Sequence, residues 1–128
     1  MKPIIKTLLA HWATIAAVRM EDFFGPYPGT ETYLNLEYAH GCYRIVTGLS
    51  LAVTEMVGES RKLGHRMNNE YGRYQACYVQ IIRLDQGLVP DYPRWDWQRQ
   101  DNFRRALEAA GKQQFLPRWD VDRFDNDI

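Results

Sequence analysis

Residues 31–63, ETYLNLEYAHGCYRIVTGLSLAVTEMVGESRKL, decide the fold class, because their apolar positions fit both a helix and a strand. Spacings of three and four, typical of one helix face, link the apolar residues Leu34, Tyr38, Cys42, Ile45, Leu49, Ala52, Val53 and Met56. The first third also alternates, since Leu34, Leu36 and Tyr38 are separated by polar residues, as in a strand. We favour the helix, and a short strand or hairpin around residues 33–47 is the alternative.

The stretches on either side of residues 31–63 have clear helical periodicity. Residues 3–20, 66–86 and 95–110 each place apolar side chains three and four positions apart. Gly87 and Gly111 follow the second and third of these stretches, and a glycine at such a position commonly ends a helix. The sequence therefore predicts a mainly α fold, a compact bundle of four to five helices.

Length and composition indicate one globular domain. Of the 128 residues, 45% are hydrophobic and 25% charged, so the chain can bury a core and does not have the composition of a disordered protein. We expect a helical domain over residues 1–114 and an acidic, aromatic C-terminal tail over residues 115–128, either docked or flexible. No stretch reaches the roughly 18 to 20 uncharged apolar residues that span a membrane. The sequence therefore predicts a cytoplasmic protein without a membrane partner.

A basic stretch occurs in a chain whose formal net charge is zero. Zero net charge gives no overall attraction to nucleic acid, so any such binding has to be local. Residues 61–83 contain five arginine and lysine residues with tyrosines between them, and four of these are candidate binding residues, namely Arg61, Lys62, Arg66 and Arg73. Cations interleaved with aromatic rings are typical of surfaces that bind single-stranded nucleic acid or an acidic protein. A nucleic-acid-binding helix over residues 61–83 is therefore the alternative function.

The histidines and cysteines form no local metal or catalytic motif. His11, His40 and His65 never occur four residues apart, and Cys42 and Cys77 form no C-x-x-C pair. We therefore predict neither a metal nor a cofactor. His40 and Cys42 are two residues apart, so they could act together as base and nucleophile only on a strand, where both would face the same side. A small Cys/His enzyme is the second alternative.

A repeated tetrapeptide is the most unusual local feature. Pro-Arg-Trp-Asp occurs at residues 93–96 and again at residues 117–120. Arginine and tryptophan often contribute most of the binding energy at protein interfaces. We therefore expect a protein-binding surface that comprises Arg94, Trp95, Trp97, Arg118 and Trp119.

These features together predict a non-enzymatic protein-binding module. Its partner would be a larger protein or protein complex. From chain size we further expect a small inhibitor, of the kind found in phages and mobile elements, that occludes a host defence complex. That last prediction depends on size class and not on a motif.

Overall fold

A four-stranded antiparallel sheet lies at the centre of the computed structural model, which describes residues 2–24, 36–48 and 53–116. In chain order the strands are β1 (Val18–Arg19), β2 (Gly41–Val46), β3 (Thr54–Ser60) and β4 (Tyr78–Arg83), arranged β1-β4-β2-β3. The helices of these residues are α1 (Pro3–Thr14), α2 (Met20–Phe24), α3 (Leu63–Tyr71) and α4 (Trp97–Phe115), with a 3-10 turn at Tyr92–Arg94. The prediction of a mainly α bundle is therefore wrong.

The helix predicted for residues 31–63 is replaced by a β-hairpin. Strands β2 and β3 pair in antiparallel register, with Tyr43 opposite Gly58, so the alternative of a strand within residues 33–47 agrees with β2. Both faces of β2 are buried, and apolar residues therefore follow one another along it instead of alternating with polar ones. Such a run also satisfies spacings of three and four, which is why periodicity favoured a helix. Residues 31–35 and 49–52 lie outside the described residues.

The helix predicted for residues 66–86 is a shorter helix followed by a strand. Helix α3 ends at Tyr71, and residues 78–83 form β4 between β1 and β2. Aromatic and β-branched residues, which suit a sheet that is covered on both faces, are frequent in β4. The first helix ends at Thr14 instead of residue 20, whereas the helix predicted for residues 95–110 is present and continues to Phe115.

Gly111 lies inside α4 and does not end it. A Cβ atom at this position would lie 2.6 Å from Cζ3 of Trp12, whose side chain is fully buried. The glycine is therefore explained by the close packing of α4 against the indole ring and not by a turn.

The two faces of the sheet bury separate hydrophobic cores. Under α1 and α4 the largest buried residues are Trp12, Tyr92, Ile82, Leu84 and Leu107. Under α2 and α3 they are Met20, Tyr43, Ile45, Leu63 and Met67. Alternation along β2 directs Cys42 to the first core and Tyr43 to the second. The fold therefore has three layers, with the sheet between two pairs of helices.

We expect Gly111→Ala to destabilise the protein, although alanine is the better helix former. The helix propensity gain is about 1 kcal/mol, whereas overpacking against a buried ring costs about 1–3 kcal/mol. Urea unfolding measures the difference in free energy. Gly72→Ala is the matched control, because nothing lies within 4 Å of a Cβ there and the backbone is already helical. Equal or higher stability of Gly111→Ala would contradict the packing argument.

Candidate functional site

A groove with a volume of about 960 Å³ lies between the start of α1 and one face of α4. Its apolar lining includes Ile4, Ile5, Trp95, Phe103, Ala106 and Ala110. Its polar lining includes Lys2, Asp96, Gln98, Arg99, Asn102 and Gln113. A concave, mainly apolar surface with a few polar groups is typical of a binding site.

The helical period of α4 and its small residues create the groove. Lining residues recur along α4 at spacings of three and four and so share one face of the helix. Ala106, Ala109 and Ala110 on this face are too small to fill the space beside α1. Leu107, on the neighbouring face, is fully buried in the core. One helix therefore contributes to the core and to the groove at the same time.

An aromatic cluster fixes Trp95 in the groove lining. The ring centre of Trp95 lies 5.3 Å from that of Phe103 and 5.7 Å from that of Tyr92. The guanidinium carbon of Arg99 lies 4.1 Å from the centre of the Trp95 ring, a cation–π distance. Asp96 Oδ1 accepts the backbone N–H of Arg99 at 2.8 Å and caps α4. These contacts therefore fix the orientation of the Trp95 side chain beside the N-terminus of α4.

Of the five residues predicted to bind a protein, one lies in the groove. Trp95 lines the groove. Arg94 is 84% exposed, 3.9 Å from the carboxylate of Asp91, and Trp97 is 67% exposed. Arg118 and Trp119 lie outside the described residues.

Sequence reasoning did not identify Ile4, Phe103 or Ala106 as site residues. Phe103 and Ala106 were expected within the apolar stripe of the last helix, but Ala106 is exposed in the groove. The run of alanines at 106, 109 and 110 was the available signal, because such small side chains cannot fill the gap between two helices.

A buried polar network surrounds Arg104 and shares Tyr92 with the aromatic cluster. Its guanidinium donates from Nε to Glu59 Oε2 at 2.8 Å, from Nη2 to Asp101 Oδ1, and from Nη1 to the Tyr92 hydroxyl at 2.7 Å. Burial opposes the charge, yet the hydrogen bonds to Glu59 and Tyr92 outweigh it and raise the pKa of Arg104. The guanidinium is thus compensated by two carboxylates and links α4 to β3.

This network determines the protonation state of His40. Nη1 of Arg104, which can only donate, lies 3.4 Å from Nδ1 of His40, so Nδ1 is an acceptor and the Tyr92 hydroxyl, 2.9 Å away, donates to it. The imidazole is then neutral, with its proton on Nε2. Burial, and secondly the charge of Arg104, lower the pKa of His40 below its usual 6.5. His40 is therefore held as a neutral hydrogen-bond acceptor.

Cys42 lies in β2, two residues after His40, which precedes the strand, and Cys42 has no access to solvent. Its thiol is fully buried and donates to the backbone carbonyl of Arg104 at 3.5 Å. Burial, followed by the charges of Glu108 and Glu59, raises the pKa of Cys42 well above its usual value. The geometry therefore favours a structural thiol over the nucleophile of a Cys/His enzyme.

The four basic residues of this stretch do not lie on one helix. Arg66 belongs to α3, whereas Arg61 and Lys62 precede it and Arg73 follows it. The helix predicted for residues 61–83 is wrong, because β4 begins at Tyr78. All four cations are exposed.

An exposed aromatic ring lies beside the start of α3, and it was not predicted from the sequence. Tyr38 is 64% exposed, and its ring centre lies 5.6 Å from that of His65. The backbone N–H of Leu63 donates to the Ala39 carbonyl at 3.0 Å, which brings Tyr38 beside the first turn of α3.

Comparison with protein-family models, with curated proteins and with solved structures finds no match for this chain. Within residues 2–24, 36–48 and 53–116, no three histidine, cysteine or acidic side chains are grouped so that they could hold a metal ion. No helix in those same segments is long and apolar enough to cross a bilayer.

We expect the stability of the protein to depend on His40 below neutral pH. Its pKa is lowered in the folded state, so the unfolded chain binds more protons as the pH falls through about 6.5, and folding stability decreases. Urea unfolding measured at about pH 7.5 and at about pH 5.5 gives the free energy of unfolding at each pH. Between the two, we expect this free energy to fall less for His40→Gln than for the wild type. His11→Gln, in an exposed helical position, is the control and should retain the wild-type loss. If His40→Gln lost as much stability as the wild type between these two pH values, this role of His40 would be ruled out.

Proposed function

We propose that the groove binds an amphipathic helix of a larger protein partner, so that the chain acts as a non-enzymatic binding module. The observation that supports this most is the groove itself, in which Trp95 and Phe103 lie beside small residues of α4. Large aromatic anchors at a partly buried site are typical of the residues that dominate binding energy. Trp97 is 67% exposed and lies in sequence between two lining residues, Asp96 and Gln98, but does not itself line the groove.

A helix suits the groove better than an extended segment. Most of the lining comes from two helices, and Ala106, Ala109 and Ala110 allow another backbone to approach closely. A helix that binds in this way presents apolar residues at spacings of three, four and seven. Lys2 and Arg99 outnumber the single lining acid, Asp96, so acidic residues beside the apolar face of the partner would be favoured. An inhibitory role against a host defence complex stays a prediction from chain size.

Ala106→Arg tests the groove directly. Arginine retains helix propensity and fills the space with a charged side chain, so we expect at least about 10-fold weaker binding, which is about 1.4 kcal/mol. The partner is recovered from the native host with the wild-type chain, its contact segment is mapped by cross-linking, and its Kd is measured by calorimetry.

Ala10→Arg is the matched control, an exposed alanine of α1 that does not line the groove. It should bind as the wild type does. Equal affinity of the Ala106→Arg variant, or a contact segment without an amphipathic helix, would contradict the proposal.

Binding of single-stranded nucleic acid is the second candidate function, and the exposed Tyr38 ring favours it. A base can stack on an exposed aromatic ring while neighbouring cations contact the phosphates. Arg61 and Lys62 lie immediately before the helix turn that Tyr38 adjoins. The Glu37 carboxylate, 3.3 Å from His65 Nε2, is the acidic group that opposes such binding.

Fluorescence anisotropy with a labelled oligothymidine tests this candidate. We expect Tyr38→Ala to weaken binding about 5-fold or more, as loss of one stacked base would. Lys62→Gln should reduce the slope of the logarithm of the binding constant against the logarithm of salt concentration by about 0.7, the value for one phosphate contact on a single strand. Trp97→Ala removes an exposed aromatic ring elsewhere and serves as control. No binding by the wild type at low salt would exclude this function.

A further inference from the structure

Arg44 lies in β2, and its half-buried side chain is on the sheet face covered by α1 and α4. Its Nε donates to Thr54 Oγ1 at 2.7 Å, and its Nη1 donates to Gln80 Oε1 at 2.9 Å. The guanidinium carbon also lies 4.3 Å from the centre of the Phe115 ring. Two hydrogen bonds and one stacking contact therefore fix the plane of the guanidinium.

The acceptors of Arg44 are themselves fixed. Gln80 is buried, and its amide nitrogen donates to the Ile15 carbonyl at 2.5 Å, so its Oε1 has to face Arg44. Thr54 is also buried, on the neighbouring strand. The site is thus formed before any ligand arrives, which reduces the entropic cost of binding.

The positive charge of Arg44 has no carboxylate partner among residues 2–24, 36–48 and 53–116. Its acceptors, a hydroxyl and an amide, are neutral, and burial lowers the pKa of Arg44 with no acidic group acting in the opposite direction. Arg104, by contrast, contacts both Glu59 and Asp101. An uncompensated, partly buried cation is costly unless a counter-ion is supplied.

The unused hydrogen-bond donors of Arg44 indicate which counter-ion would fit. A guanidinium has five N–H groups, and two are used, which leaves two on Nη2 and one on Nη1. Planar N–H pairs bind carboxylate and phosphate oxygens with two parallel, charge-assisted hydrogen bonds. We propose that Arg44, held by Thr54, Gln80 and Phe115, forms a binding site for an oxyanion that is a carboxylate or a phosphate.

This site is independent of the proposed protein-binding groove. None of Arg44, Thr54, Gln80 and Phe115 lines the groove. Loss of groove binding in Ala106→Arg and loss of anion binding in an Arg44 variant are therefore separate outcomes.

Thermal unfolding in the presence of anions tests the proposal. Inorganic phosphate and sodium acetate are each added to about 100 mM, with sodium chloride at the same ionic strength as the reference. A ligand that binds only the folded state and is present at about 100 times its Kd shifts the folding equilibrium about 100-fold. We expect the Tm of the wild type to rise by a few degrees with one or both anions. A rise with phosphate alone identifies a phosphate site, and a rise with acetate identifies a carboxylate site.

The Arg44→Gln variant should lose this response, whereas Arg44→Lys should retain only part of it, because lysine keeps the charge without the planar pair of donors. Arg105→Gln, an exposed arginine of α4, is the control and should respond as the wild type does. The Nε–H signals of the wild-type arginines, followed by NMR during the same titrations, give a second measurement if Arg44→Gln does not fold. No shift of any such signal and no change in Tm beyond that in chloride would overturn the proposal, as would an equal response of Arg44→Gln.

Discussion

The packing of Trp12 against Gly111 is the constraint on which the rest of the described structure depends. The indole is fully buried, contacts Phe115 edge to face at 5.3 Å, and leaves no space for a side chain at residue 111. Its Nε1 donates to the backbone carbonyl of Gln80 at 3.1 Å, which ties α1 to the interior strand β4. One side chain therefore sets the distance between α1 and α4 and their position on the sheet.

Both proposed sites follow from this arrangement. Between the start of α1 and one face of α4, the small side chains of α4 leave space for the groove that Trp95 and Phe103 line. The same packing also positions Gln80. Its side-chain nitrogen donates to the backbone carbonyls of Ala13 and Ile15 at the end of α1, so its side-chain oxygen faces Arg44. The same core therefore positions both the groove between α1 and α4 and the side chains around Arg44.

Arg104 and Arg44, on the same side of the sheet, differ in whether their positive charge is compensated by a carboxylate. Arg104 is almost completely buried, yet Glu59 and Asp101 compensate it, and its hydrogen bonds extend through Tyr92 to His40. Such a network stabilises one arrangement of α4 on the sheet. Arg44 has only neutral acceptors among the described residues and retains unused donors. The first arginine is therefore structural, and the second is suited to a ligand.

The sequence by itself determined the presence of a first and a last helix, because each has an apolar stripe on one face only; they were predicted over residues 3–20 and 95–110 and span residues 3–14 and 97–115. It also proposed Trp95 as a binding residue, and Trp95 lines the groove, although its role stays a prediction. It did not determine the sheet. Strands β2 and β4 are covered on both faces, so their apolar residues lose the alternation that distinguishes a strand from a helix. Gly111 looked like a helix end, and only the position of Trp12 shows that it is a packing contact. The groove, the Arg104 network and the environment of Arg44 each join residues from distant parts of the chain, so the tertiary structure alone decided them.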